Sequence, residues 1–107
     1  MNALKLAIPL PEDAIHELCR RHGVERLAIF GSVLTSAFRQ DSDVDFLVRF
    51  RRGVEKPWMA HFSELEDALE AAVGRPVDLV DWNGLEQSEN WIRRRSILGS
   101  AQTLYAA

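Results

Sequence analysis
An apolar run rich in strand-forming residues, Val24 to Phe30 (VERLAIF), stops at Gly31-Ser32, and ten residues later the chain reads Asp43-Val44-Asp45. This pattern leaves little freedom to the fold. A strand that ends in glycine must turn sharply there, because glycine alone brings the main chain round without a Cβ in the way. The next run, Asp43 to Phe50 (DVDFLVRF), reads as a second strand, in which residues two apart share a face. Asp43 and Asp45 therefore project together, and Gly31 marks the end of the first strand.

Two carboxylates on one face repel each other unless a cation lies between them. Oxygen ligands at this spacing suit Mg²⁺, which keeps waters and substrate phosphates in its shell. The Gly31-Ser32 turn complements such a cation, since its backbone approaches an anion closely and Ser32 adds an N–H and a hydroxyl as donors. A third run, Arg75-Pro76-Val77-Asp78-Leu79-Val80, alternates Asp78 with apolar neighbours. If Val77 and Leu79 face the core, Asp78 faces the other side and can join the first pair. Three acids, two metal ions and a triphosphate form the chemistry of nucleotidyl transfer: one ion activates the attacking hydroxyl and the other neutralises the leaving pyrophosphate.

With these residues the chain resembles the minimal nucleotidyltransferases of the DNA polymerase β superfamily, small antitoxin-type proteins encoded beside HEPN-domain toxins in bacteria and archaea. The resemblance runs through LAIFGSVL, DSDVDFLV, a helix ending in Gly74, RPVDLVD and a tail ending near Leu104-Tyr105. It implies that Gly31 and Ser32 contact the β/γ phosphates, that Asp43 and Asp45 hold the metals, and that Asp78 completes the first metal site and helps deprotonate the acceptor. It further implies ATP as substrate and a HEPN toxin as partner, whose tyrosine receives AMP and whose RNase activity is thereby silenced. An antitoxin that neutralises its partner by contact alone, with a vestigial nucleotide site, is the alternative. The family usually continues the turn as Gly-Ser-x-Ala-Arg-Gly. Here Thr35 stands where the arginine is expected, and Arg39 follows four residues later.

At 107 residues and a formal charge of −3, the chain is expected to be one domain without the basic surface that long nucleic-acid contacts require. The single Cys19 excludes an internal disulfide and fits a reducing cytoplasm. The opening residues are too short and too interrupted by Pro9 and Pro11 for a signal peptide or a membrane span, and read as an extended lead-in.

Periodicity predicts an α/β fold in αβαβαβα order, a small mixed sheet of three or more strands flanked by helices. The first helix begins near Pro11, buries Ala14, Ile15, Leu18 and Cys19, and closes at Gly23. A short helix over Val33 to Phe38 is expected to aim its N-terminal dipole at phosphate. Arg51 to Pro57 reads as a loop. Ser63 to Val73 has helical spacing, with Ser63 and Glu66 as a capping box or Pro57 as the start of a longer helix. Asp81 to Gly84 reads as a turn, and Ser88 as the cap of a last helix carrying Trp91, Ile92 and Leu98.

His16, His22 and His61 show no zinc spacing and read as solvated, Cys19 as a buried small side chain, and Arg93-Arg94-Arg95 as a solvated face. Three tryptophans, Trp58, Trp82 and Trp91, exceed what a small core needs and mark a candidate interface. Tyr105 has the chemistry of an acceptor, but a hydrophobic tail contact suits it better.

Overall fold
The computed structural model describes residues 6–54 and 58–107, and the side chains of Trp58 and Met59 are outside that set. The expected lead-in over residues 1–5, the role of Pro57 and the interface role of Trp58 lie outside the described residues. Four strands form one mixed sheet: β1 (Val24–Phe30), β2 (Val44–Phe50), β3 (Val77–Asp81) and β4 (Gln102–Ala106), in the order β3-β2-β1-β4. β1 runs antiparallel to both β2 and β4, whereas β3 lies parallel to β2 across the crossover helix α2 (Trp58–Val73).

Strand alternation divides the core into two layers. Leu27 and Ile29 of β1, Val44, Phe46 and Val48 of β2, and Val77 and Leu79 of β3 point to one face. There α1 (Glu12–Arg21) contributes Ile15 and Cys19, and α2 contributes Leu65 and Leu69. Ala28, Phe30 and Leu47 point the other way, under Trp82 and Leu85 of α3 (Trp82–Glu86) and Ile97 of α4 (Trp91–Ser100). Ala14 is exposed, because the buried stripe of α1 is only as wide as Ile15 and Cys19 with Leu18 at its margin.

The mixed sheet flanked by helices is the expected class, and its element order differs at three places. Between β1 and β2 the chain forms a 3₁₀ turn over Gly31–Leu34 instead of an α-helix over Val33 to Phe38. Thr35 ends it, donating both its N–H and its hydroxyl to the Ser32 carbonyl at 2.9 Å, with an extended backbone. Four residues build no useful helix dipole, so the expected dipole assistance to phosphate is withdrawn. The segment Asp81 to Gly84 is not a simple turn: Asp81 accepts the Gly84 N–H at 2.8 Å and caps α3. The tail is a strand, and its edge pairing with β1 has no α-helical counterpart in the expected order.

Two helix starts also move. α2 begins at Trp58, so Ser63 and Glu66 sit inside it and form no N-terminal box. α4 is capped by Asn90, whose Oδ1 accepts the Arg93 N–H at 3.1 Å, while Ser88 accepts the Asn90 N–H one step earlier. Among the described residues no helix is long and apolar enough to cross a membrane.

Candidate active site
The acids gather at the sheet end where β1 finishes and β2 begins. Phe30 is opposite Asp45 in the β1–β2 ladder, and Asp45 is opposite Asp78 in the parallel β2–β3 ladder. Asp45 lies between core-facing Val44 and Phe46, so pleating turns it to the α3–α4 face, and Asp78 is turned the same way by Val77 and Leu79. Asp43 precedes the first ladder residue of β2 and is exposed. The structure thus brings together all three acids and the Gly31 turn.

Asp45 is the half-buried member of the set. Burial raises its carboxyl to about 6, and the negative charges of Asp78 and then Asp43 push in the same direction. Gly31 is pressed against it: with φ at +85°, a Cβ added there would run into the Asp45 carboxylate. The glycine therefore serves two needs, a left-handed turn and room for an acid directly beneath it.

Among the described residues no three His, Cys, Asp or Glu side chains close into a ready-made cage. Mg²⁺ is held through one or two protein carboxylates together with water and phosphate oxygens, and Asp45 and Asp78, in register on neighbouring strands, are donors of that type. Burial first, and then the charges of Asp78 and Asp43, make an ionised Asp45 costly, a cost that a nearby cation would offset. Asp43, Asp45 and Asp78 are the residues that could hold it.

The histidines behave differently from solvated helix residues. His16 Nε2 lies 2.8 Å from the Leu104 carbonyl, with its ring 5.6 Å from that of Tyr105. His22 and His61 meet edge-on at 6.4 Å, and burial lowers the His22 pKa with help from His61. Cys19 is buried and its thiol is pushed up to about 12 by desolvation, so it stays a neutral core side chain. Trp82 belongs to the core, flanked by the guanidinium groups of Arg26 and Arg49 at 4.7 and 5.1 Å, while Trp91 and Ile92 are exposed. Sequence reasoning missed Arg75, whose guanidinium reaches the loop that carries Asp43. The only signal was an arginine between a helix-ending glycine and a strand.

A glycine turn and three acids at one end of a mixed sheet form the layout of a nucleotidyl-transfer domain. The sequence profile of the nucleotidyltransferase domain matches residues 12–104, and the chain belongs to that family. The protein adenylyltransferase MntA of Thermococcus cleftensis is 47% identical over 64 residues, covering 60% of this chain and 62% of that protein. The chain thus spans about three-fifths of the length of that curated relative. A solved structure provisionally described as a minimal nucleotidyltransferase shares the fold with a TM-score of 0.65 at 34% identity, over 85% of this chain and 86% of the other. A chain in the complex of tri-AMPylated Shewanella oneidensis HEPN toxin with MNT antitoxin has a TM-score of 0.59 at 22% identity, over 90% of this chain and 70% of that one.

Proposed function
We propose that residues 1–107 form a single minimal domain that transfers AMP from ATP to a hydroxyl of a partner protein, acting in the cytoplasm as the antitoxin to a HEPN-domain toxin. The observation that carries this reading is the register pairing of Asp45 with Asp78 beside Gly31. Identity to a protein adenylyltransferase supports the reaction, and the likeness to a chain from a HEPN–MNT complex suggests the partner.

In this mechanism Gly31 and Ser32 bind the β/γ phosphates with main-chain and hydroxyl donors. Asp43, Asp45 and Asp78 would hold two Mg²⁺ ions, which supply charge neutralisation at the triphosphate and acidify the acceptor hydroxyl. Asp78, exposed on β3, accepts the proton of the attacking hydroxyl. The acceptor oxygen, best supplied by a tyrosine, forms a bond to the α-phosphorus as the bond from that phosphorus to the β-bridging oxygen breaks. Pyrophosphate leaves and AMP remains on the partner.

Thr35 favours a second reading. It closes the turn with its hydroxyl and brings no positive charge to a triphosphate, as the usual arginine would. In that reading the chain neutralises its partner by contact alone. Intact mass of the co-expressed toxin after incubation with this protein, ATP and Mg²⁺ decides between them. Addition of one or more AMP units, absent with the Asp43→Asn/Asp45→Asn double variant, is the expected result. A stable complex with no mass gain would transfer the function to binding.

A further inference from the structure
Two consecutive residues at the entry to β3 fasten the backbone on both sides of Asp43. One terminal nitrogen of the Arg75 guanidinium donates to the Ser42 carbonyl at 3.1 Å, with longer contacts of 3.4 Å to the Arg39 and Gln40 carbonyls. The same guanidinium lies over the Phe38 ring, 4.7 Å from its centroid. The next residue, Pro76, accepts the Val44 N–H at 3.1 Å through its carbonyl. Ser42 and Val44 are the chain neighbours of Asp43, so the peptides before and after that acid are both tied to the strand that bears Asp78. The Arg39–Ser42 turn closes on itself as well, with Ser42 N–H on the Arg39 carbonyl at 3.1 Å and Arg39 N–H on the Ser42 hydroxyl at 2.9 Å.

We propose that Arg75 is a positioning residue, which sets the distance of Asp43 from the Asp45–Asp78 pair and thereby the affinity of the acid set for a divalent cation. The inference rests on the reading of these acids given above. Asp43 lies ahead of the β2 ladder, so its place is decided by the loop that leads to it. A guanidinium suits the task because its planar fork stacks on an aromatic ring while donating to several carbonyls. A lysine ammonium keeps the charge but not that geometry. The proposal therefore separates position from charge: Arg75→Lys should behave much like Arg75→Ala.

Hydrogen exchange of the protein alone, Mn²⁺ binding followed by electron paramagnetic resonance, and AMP transfer as a function of Mg²⁺ concentration test it together. In both variants the amides of residues 39–44 should exchange roughly ten-fold faster, with β1 unchanged. Mn²⁺ affinity should fall several-fold, and half-saturating Mg²⁺ for transfer should rise to match while the KM for the acceptor protein stays the same. Wild-type exchange over 39–44 in Arg75→Ala would overturn the proposal. So would full recovery by Arg75→Lys, which would make the effect one of charge, or uniformly faster exchange in every strand, which would make it one of global stability. If the wild-type protein itself transfers no AMP, the functional reading fails, and exchange with Mn²⁺ affinity still decides whether Arg75 positions Asp43.

Discussion

Gly31 is the residue with the least room for change. A methyl group at this position meets the Asp45 carboxylate, and a positive φ of +85° opposes any L side chain. Gly31→Ala must therefore move the turn or displace the acid. It is expected to cost about 1–3 kcal/mol of stability and to lower AMP transfer roughly 100-fold, since small misplacements of reacting groups are costly. Urea unfolding and single-turnover transfer measure the two effects separately. Near-normal transfer by Gly31→Ala would show that the turn need not approach Asp45. The sequence made this glycine and the three acids legible because their chemistry is local to short motifs. Arg75 was not legible, because what it does depends on carbonyls more than thirty positions away in the chain.

At the scale of elements, β4 had to be found in the structure. Gln102–Ala106 carries little apolar alternation, yet Leu104 and Tyr105 pack on the α1-side core and the strand covers the free edge of β1. Tyr105 is opposite Leu27 and beside His16, on the sheet face away from Asp45 and Asp78. This placement makes it a packing residue and argues against its serving as an acceptor within the same molecule. Tyr105→Ala is expected to lower stability by about 2 kcal/mol, as for a partly buried aromatic, and to leave transfer per folded molecule unchanged. A lower urea midpoint with intact turnover is the predicted pair of readings. Loss of turnover without loss of stability would place Tyr105 in the chemistry. The same distinction explains the short helix α3, where Asp81 works as a cap and stays out of the acid set.

For the molecule as a whole, the ionised form of Asp45 works against stability. The folded state holds the Asp45 carboxyl at about 6, above its ordinary value, so folding favours the protonated form. The stabilisation linked to this group is complete below the unfolded value near 3.8 and is lost as pH rises through about 6. At pH 7.5 the metal-free protein therefore carries the cost of a half-buried, ionised Asp45, increased by repulsion from Asp78 and Asp43. Asp45→Asn should melt a few degrees higher than wild type at pH 7.5, and the difference should vanish toward pH 4. Mg²⁺ should raise the Tm of the wild type at pH 7.5, with little effect at pH 4.5 and little on Asp45→Asn at either pH. A Mg²⁺ response independent of both pH and Asp45 would place the cation elsewhere.

The sequence by itself determined the strand that ends in Gly31, the two acids two residues apart on one face, the third acid alternating with apolar neighbours, and the helices closed by Gly23 and Gly74. All of these depend on periodicities of two or about 3.6 residues, or on the conformational freedom of glycine, and so can be read within a short window. Only the tertiary structure decided that β3 lies parallel to β2 with Asp78 in register with Asp45, and that the turn after Ser32 is 3₁₀. It also decided that the tail joins the sheet, that Trp82 is core, and that Arg75 and Pro76 hold Asp43 between them. Strand register and hydrogen bonds between distant carbonyls and side chains arise from how whole faces pack, and no local pattern encodes them.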